Sequence, residues 1–175
     1  MNELGELNHA IAFSLRGLDA AQTQFRPLKR KNRWSIQQIV EHLLLTYSST
    51  EEMIATRLAK GRPTRKKPGL MQHISQYTVI RLGYFPRGRK APTLVMPPAE
   101  VAAPLSGEEL SHRVREQLLH LHELCNDAEK AFGEKQCASH HVLGPLSAAQ
   151  WRRFHLIHGE HHARQILAIR KEHGM

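Results

Sequence analysis

Two histidines four residues apart, near the C-terminal end of the chain, are the residues best suited to do chemistry. His158 and His162 lie in a stretch, 151–166, whose apolar residues recur at helical spacing. At 100° per residue the two side chains lie only about 40° apart around a helix axis. They share one stripe of the helix with Trp151 and Phe154. Inward-facing imidazoles one turn apart can chelate a transition metal ion, so this spacing indicates part of a metal site.

A third ligand would have to come from another helix, and His42 is the candidate. It lies in a dense apolar run, about 60° from Ile39 and from Leu45 around the axis. Burial there disfavours the imidazolium, and the neutral ring is the form that binds metal. If the two helices are neighbours, His42, His158 and His162 form a three-nitrogen site with open coordination positions. On the residues alone, a hydrogen-bonded core histidine at 42 and a surface-facing pair on the last helix remain alternatives.

Three further residues of the last helix could support this site. Gln165 lies one turn from His162 and could orient a ligand ring or a bound water. His155 lies on the edge of the same stripe and could line the cavity. Three roles remain open for His161. It could hydrogen-bond to a metal ligand, lie in an interface, or face solvent.

The remaining polar residues near these histidines do not define a catalytic group. Glu41 and Glu160 adjoin candidate ligands in sequence but point about 100° to 200° away on their helices, as solvated surface residues do. The pair His140-His141 precedes a Gly-Pro turn and could approach the mouth of the site. Neither a Ser-His-Asp order nor a nucleophile elbow is present, so the sequence assigns no catalytic residue.

Three helix starts carry both a capping box and a hydrophobic staple. In each, a serine hydroxyl accepts a hydrogen bond from a backbone N–H of the first turn. The side chain of a Gln or Glu three residues later accepts a hydrogen bond from the backbone N–H of that serine. The pairs are Ser35 with Gln38, Ser106 with Glu109, and Ser147 with Gln150. They predict long helices over about 36–60, 107–132 and 148–172.

The remaining segments complete the predicted fold. Apolar residues from Leu4 to Leu18 predict a first helix over 3–23 that ends before Arg26-Pro27. Between the second and third long helices lies an insert with a shorter helix over about 69–84. A Pro-rich stretch over 86–104 follows, and we expect it to be mostly irregular. The predicted fold class is all-α: a four-helix bundle with a crossover insert that contains a short helix, in a single domain over 1–175.

The motifs around the candidate ligands resemble those of a known family. The segment Trp34-Ser35-Ile36-x-x-Ile39-x-x-His42-Leu43 is similar to the second helix of the DinB-like (DinB/YfiT-type) superfamily. The last-helix motif is similar too, and reads Gly144-Pro145-Leu146-Ser147-x-x-Gln150-Trp151-x-x-Phe154-His155-x-x-His158-x-x-His161-His162-x-x-Gln165-Ile166. Its His-x-x-His-His form is closest to a branch described as a domain of unknown function. The insert over 62–104 is less typical of the family.

This resemblance implies a four-helix bundle, often dimeric, that binds a divalent metal, zinc or nickel, through three histidines. By motif position these are His42, His158 and His162. Some relatives transfer thiols and use a low-molecular-weight thiol cofactor, and others are described only as hydrolases. The family fold therefore does not fix the reaction.

Composition limits the class of protein further. The net charge of +9 is high for 175 residues, and basic residues cluster at 26–33, 62–67 and 87–90. We interpret these clusters as solvated surface and charge at the site mouth rather than as a nucleic-acid surface, because few aromatic residues interleave with them. Two cysteines, Cys125 and Cys137, make no disulfide framework. With no signal-peptide pattern and no apolar run of spanning length, we expect a cytoplasmic protein with no membrane partner.

Two functional hypotheses follow. In the first, the protein is an enzyme in which the three-histidine metal site activates water or a thiol, for hydrolysis of a small molecule or S-transfer to it. In the second, it is a non-catalytic helical binding module whose basic loops contact nucleic acid or another anionic partner. No recognition-helix turn or RNP-like motif supports nucleic acid. A third and weaker hypothesis is a structural oligomer built on a two-fold axis.

Overall fold

The structure, a computed structural model, describes residues 2–30, 32–85 and 91–175. These ranges contain five α-helices and one two-stranded sheet. In chain order they are α1 (Glu3–Leu15), α2 (Ile36–Ala59), α3 (Leu70–Gln76), α4 (Gly107–Phe132), β1 (Ala138–His140), β2 (Gly144–Leu146) and α5 (Ala148–Glu172). The predicted all-α class is confirmed.

The four long helices, α1, α2, α4 and α5, pack around one apolar core. Helix α1 lies against α4 and α5, α2 lies against α4, and α2 also approaches α5. The largest side chains with almost no exposed surface come from all four helices and include Leu7, Ile11, Leu15, Ile36, Leu43, Tyr47, Leu110, Leu121, Trp151 and Ile166. This packing makes α2 and α5 neighbours, which is the condition that the predicted histidine site requires.

The three predicted capping boxes are present and begin α2, α4 and α5. At α5, Gln150 N donates to Ser147 Oγ over 3.3 Å, and Ser147 N donates to Gln150 Oε1 over 2.9 Å. The same reciprocal bonds join Ser35 to Gln38 and Ser106 to Glu109. Because each cap satisfies N–H groups that the helix itself cannot pair, these local sequences set the helix starts.

The first helix is shorter than predicted, since α1 ends at Leu15 rather than near residue 23. Gly17 adopts φ +73°, a left-handed conformation that ends the helix. Residues Gln22–Gln24 form a separate 3₁₀ turn. Leu18 is nevertheless buried. Its apolar spacing therefore indicated a core position correctly, but did not show that the helix continues to it.

A short hairpin, which the sequence analysis did not predict, leads into α5. Strands β1 and β2 pair antiparallel with His140 opposite Gly144. Each has three residues, too few for an alternating pattern to be recognised. Gly144 adopts φ +73°, and an added Cβ there would lie 2.4 Å from the Gln72 side chain. The turn therefore favours glycine for its left-handed conformation, since the flexible end of the Gln72 side chain could move away from an added Cβ.

The insert over 62–104 contains the predicted short helix, although the helix ends earlier than residue 84. Helix α3 continues into a π-helical turn over Tyr77–Arg81, and Gly83 follows at φ +68°. In the described part of the stretch that we expected to be irregular, only Thr93–Val95 forms a 3₁₀ turn. The basic cluster at 87–90 lies outside the described residues.

One glycine at the start of α4 has no room for a side chain. A Cβ at Gly107 would lie 2.1 Å from the Leu15 carbonyl oxygen, which belongs to the backbone of α1. We expect Gly107→Ala to lower the free energy of unfolding by about 1–3 kcal/mol, because the backbone would have to shift. Urea denaturation measures this change. Gly69→Ala is the control, since its added Cβ meets nothing within 4 Å; an equal loss in both variants would contradict the expectation.

Candidate metal centre

Three imidazole rings converge between α2 and α5. His158 Nε2 lies 3.3 Å from His42 Nε2 and 3.0 Å from His162 Nε2. One nitrogen from each ring lies within 4.8 Å of the other two, and all three residues are buried. The structure thus brings together the three residues that the sequence analysis selected.

The tautomers of two rings leave lone pairs directed at this centre. His42 Nδ1 lies 2.7 Å from the Val95 carbonyl oxygen, and His162 Nδ1 lies 2.9 Å from Gln165 Oε1. Both oxygens can only accept, so each Nδ1 carries the proton and donates it. The Nε2 atom of each ring is then unprotonated, as a metal ligand must be.

The third ring, that of His158, cannot donate a hydrogen bond to both His42 Nε2 and His162 Nε2. A hydrogen on its Nε2 could bond only one of the two facing lone pairs. If that hydrogen is on Nδ1 instead, it has no hydrogen-bond partner among the described residues, although Nδ1 is buried. A cation shared by the three Nε2 atoms satisfies all three facing lone pairs. The hydrogen of His158 then lies on Nδ1, which stays without a partner among the described residues.

The spacing of the nitrogens fits such a cation. Zinc binds imidazole nitrogen at about 2.0–2.1 Å, which in a tetrahedral site separates two ligand nitrogens by about 3.3 Å. The two Nε2 pairs that include His158 are 3.3 and 3.0 Å apart. The third pair, from His42 and His162, lies within 4.8 Å, so the residues present fit a divalent metal ion.

Burial keeps all three rings neutral. It lowers the pKa of His162 to about 3, with the nearby His42 and His161 rings adding to the effect. It lowers the pKa of His158 well below the usual range of histidine, and the other rings of the cluster add to this shift. The pKa of His42 is also lowered by burial, although its bond to the Val95 carbonyl opposes the shift. At neutral pH the cluster is a set of donors ready to bind a cation.

Aromatic side chains enclose the three rings. The centre of the Trp34 ring lies 4.9 Å from that of His42, and Phe85 lies 5.0 Å from His158. Phe154 stacks on His158 at 5.4 Å with an interplanar angle of 12°. This apolar wall reduces access of water to the centre and strengthens electrostatic interactions inside it.

The insert forms one side of the centre. It supplies Phe85 and the carbonyl of Val95, and its later part is tied to α2. The Gln38 side-chain amide donates to the carbonyl oxygens of Pro98, at 2.7 Å, and Ala99, at 3.1 Å. The sequence analysis did not identify Val95 or Phe85, because a backbone carbonyl has no sequence signature and the insert has no regular apolar pattern there.

Gln165 connects the cluster to a further histidine. Its Oε1 accepts from His162, and its Nε2 lies 2.9 Å from His161 Nε2. The predicted role of Gln165, to orient a ligand ring, stays a prediction that these contacts allow. His161 lies beyond Gln165, and its ring packs 5.2 Å from Phe85.

His155 lies apart from the cluster. It is fully buried, and its Nε2 contacts Thr50 Oγ1 at 3.2 Å while its ring packs against Tyr47 and Trp151. The group of potential ligands found among the described residues does not include it. His155 thus lies in the core beneath the centre, which is deeper than the cavity-lining position we expected.

The other polar candidates also lie away from the centre. His140 packs against Phe154 at 4.7 Å, and its Nδ1 accepts from the backbone N–H groups of the hairpin turn. Glu160 is half exposed and pairs with Arg164 at 3.6 Å. Glu41 accepts from the Gln37 side chain at 3.0 Å. Neither carboxylate belongs to the group of potential metal ligands. The expectation of a solvated surface residue is wrong for Glu41, which is only partly exposed and has a buried Oε2.

Gln165→Leu should weaken metal binding by about 10- to 100-fold, the usual effect of removing a partner that orients a ligand ring. His162 would lose the acceptor that fixes its tautomer, whereas the exposed position of Gln165 leaves folding unaffected. Competition with a chromogenic chelator measures the affinity. The neighbouring Arg164→Leu variant serves as control, and equal affinity in the two variants would contradict the expected role.

A bundle of four long helices, with three buried and convergent imidazoles from two of them, defines a helical protein able to hold a metal ion. The chain belongs to the DinB superfamily, whose family model matches residues 9–166. No curated protein and no solved structure gives a significant match. The family match confirms the resemblance and leaves the reaction to be inferred from the site.

Proposed function

We propose that this protein is a divalent-metal-dependent enzyme that activates water or a thiol for attack on a small molecule. The observation that carries the proposal is the convergence of three neutral imidazole nitrogens, two of which have their lone pairs fixed toward one point. His42, His158 and His162 would hold the ion. Family membership supports the same conclusion.

The charge of the ligand set favours an anionic nucleophile. All three potential ligands are neutral, and no carboxylate belongs to the group found among the described residues. A divalent ion held there would keep its full positive charge. When bound, it lowers the pKa of a water or thiol that occupies an open coordination position.

The residues around the centre have supporting roles in this proposal. Val95 and Gln165 hold the ligand rings in the tautomer that binds metal. Trp34 and Phe85 limit the access of bulk water. Since the hydrogen bonds of the three rings among the described residues involve no serine, cysteine or carboxylate side chain, the nucleophile and the electrophile would both come from small molecules.

Two assays would separate water from a thiol as the activated group. The metal-free protein is reloaded with zinc or nickel, the two metals we propose. It is then tested for ester or amide hydrolysis and, separately, for consumption of a low-molecular-weight thiol with a chloro-aromatic electrophile. We expect one of these activities to need metal and to be lost in His162→Ala.

The control for these assays is His112→Ala, which removes an exposed histidine on α4 that pairs with Glu116. This variant should keep full activity. Turnover that survives both chelation and His162→Ala would contradict the proposed function.

Two other expectations from the sequence are carried forward as proposals, and only the first of them rests on the family resemblance. We propose a homodimer, which light scattering after size-exclusion chromatography tests directly. We also propose a cytoplasmic location, which cell fractionation tests.

A further inference from the structure

The outer face of the insert exposes most of the large apolar side chains that the described chain leaves uncovered. Of twelve such side chains, eight lie between residues 70 and 96. They are Leu70, Met71, Ile74, Tyr77, Leu82, Tyr84, Leu94 and Met96. A concentration of this kind marks an interaction surface rather than ordinary scatter.

On α3 these residues form one stripe. At helical spacing, Leu70, Ile74 and Tyr77 lie on one side, with exposures of 77%, 51% and 60%. The opposite side is fixed to the protein. There Gln76 Nε2 donates to the carbonyl oxygens of Leu143 and Pro145, at 2.7 and 3.0 Å. The apolar stripe is therefore presented outward by an anchored helix.

The charge of the same segment is extreme. Between Glu52 and Glu100 the sequence contains no acidic residue, but it carries ten of the 25 lysines and arginines. Since the net charge is +9, the rest of the chain is close to neutral. Arg65, Lys66 and Lys67 are exposed, and Lys67 lies within about 11 Å of Leu70 along the chain.

Several of these cations line one surface groove. Arg57, Arg62, Arg65 and Lys66 surround a space of about 280 Å³ beside Thr64. The loop is held in place, because Thr64 N donates to the Gln136 carbonyl oxygen over 2.9 Å. The groove is a cationic surface site whose loop precedes α3 by a few residues in the chain.

We propose that this outer face of the insert docks the protein on an anionic membrane surface. The aliphatic side chains of α3 would lie at the boundary between headgroups and acyl chains, and the lysines and arginines would contact anionic headgroups. Such a combination of an apolar face with flanking cations is typical of peripheral membrane binding. It requires no spanning segment, and none of the described helices is long and apolar enough to cross a bilayer.

Charge and chemistry favour this occupant over two others. A second copy paired through the same face would bring two strongly cationic surfaces together. Nucleic acid would satisfy the cations but would leave Leu70, Met71 and Ile74 in contact with a polar surface. The inference replaces our expectation of no membrane partner, which considered only spanning segments.

Vesicle flotation tests the proposal with the zinc-loaded chain of 175 residues. Vesicles of phosphatidylcholine alone are compared with vesicles that contain 30% phosphatidylserine, a composition chosen as a roughly physiological anionic surface. We expect binding at least tenfold tighter to the anionic vesicles. The binding should weaken as salt rises, because headgroup attraction is screened.

Two variants separate the apolar contribution from the cationic one. Leu70→Gln with Ile74→Gln should reduce binding to anionic vesicles at least tenfold, since it removes two aliphatic groups from the interface. Lys66→Glu with Lys67→Glu should reduce it at least fivefold for each lost charge. Leu119→Gln, at an exposed position of α4 (56% exposed), is the control and should bind like wild type.

Four results of the binding assays would overturn the proposal. These are equal binding to both vesicle types, no binding to either, unchanged binding in the Leu70→Gln and Ile74→Gln variant, and tighter binding to duplex DNA or RNA than to vesicles. Dissociation of a dimer by Ile74→Gln would likewise overturn it, because a second copy would then cover the face.

Discussion

Replacing His158 with alanine is expected to abolish stoichiometric binding of a divalent metal ion. His158 Nε2 is the nitrogen that lies within 3.3 Å of both other rings, so its loss leaves two ligands from different helices. Removing a residue that merely orients a ligand commonly costs 10- to 100-fold in affinity, and losing a ligand should cost at least the upper end of that range. We expect about one ion per wild-type chain after dialysis and almost none in the variant, by elemental analysis and calorimetric titration.

Two further variants make this test specific. His112→Ala removes an exposed histidine that pairs with Glu116 and should retain the ion. His42→Gln keeps approximate side-chain volume in the cluster, so it should lose the ion without the cavity that alanine creates. Circular dichroism shows whether each variant is folded. Full metal content in a folded His158→Ala protein would contradict the assignment of this residue.

Without metal, the protein should lose several kcal/mol of unfolding free energy as the pH falls from 7.5 to 5.5. Burial lowers the pKa of His140, His155 and His162 to about 3 each, and it also lowers the pKa of His42 and His158. In the unfolded chain these groups titrate near 6.5. Below that pH the unfolded state therefore binds more protons than the folded state, and the free energy of unfolding decreases as the pH falls.

The size of this effect follows from the number of protons. Each histidine that stays neutral in the folded state contributes up to about 1.4 kcal/mol for each pH unit below 6.5. Urea denaturation at several pH values gives the slope. His155→Phe should reduce the slope by about one proton. Constant stability from pH 7.5 to 5.5 would show that the buried rings are not held neutral.

Bound metal should shift this acid transition to lower pH. A ligand that binds only the folded state stabilises it by about 2.7 kcal/mol at one hundred times its dissociation constant. Because burial lowers the pKa of all three ligand rings in the folded state, protons compete little with the cation between pH 7.5 and 5.5, and the gain should change little over this range.

The sequence predicted the parts of the fold that local signals determine. The starts of α2, α4 and α5 followed from capping boxes, each of which is satisfied within four residues. The end of α1 did not follow, because Leu18 continues the apolar spacing while Gly17 ends the helix through its left-handed backbone. The hairpin was missed because its three-residue strands depend on a contact with Gln76 of the insert.

The sequence predicted the three histidines of the candidate site, but it did not predict the residues that enclose them. Helical spacing placed His158 and His162 together, and the apolar run around His42 indicated burial. The three rings converge only because α2 and α5 are neighbours. Residue spacing within one helix cannot show this, but the family resemblance implied it. The Val95 carbonyl and the Phe85 ring come from the insert, whose position follows from tertiary contacts such as those of Gln38.

X-ray absorption spectroscopy of the zinc-loaded protein tests the shared cation most directly. The structure predicts three imidazole nitrogens at about 2.0–2.1 Å from the metal, with the multiple-scattering pattern of histidine rings and no sulfur ligand. His112→Ala should give the same spectrum, and His158→Ala should lose it. A first shell with cysteine sulfur, or with oxygen ligands and fewer than two imidazoles, would contradict the account.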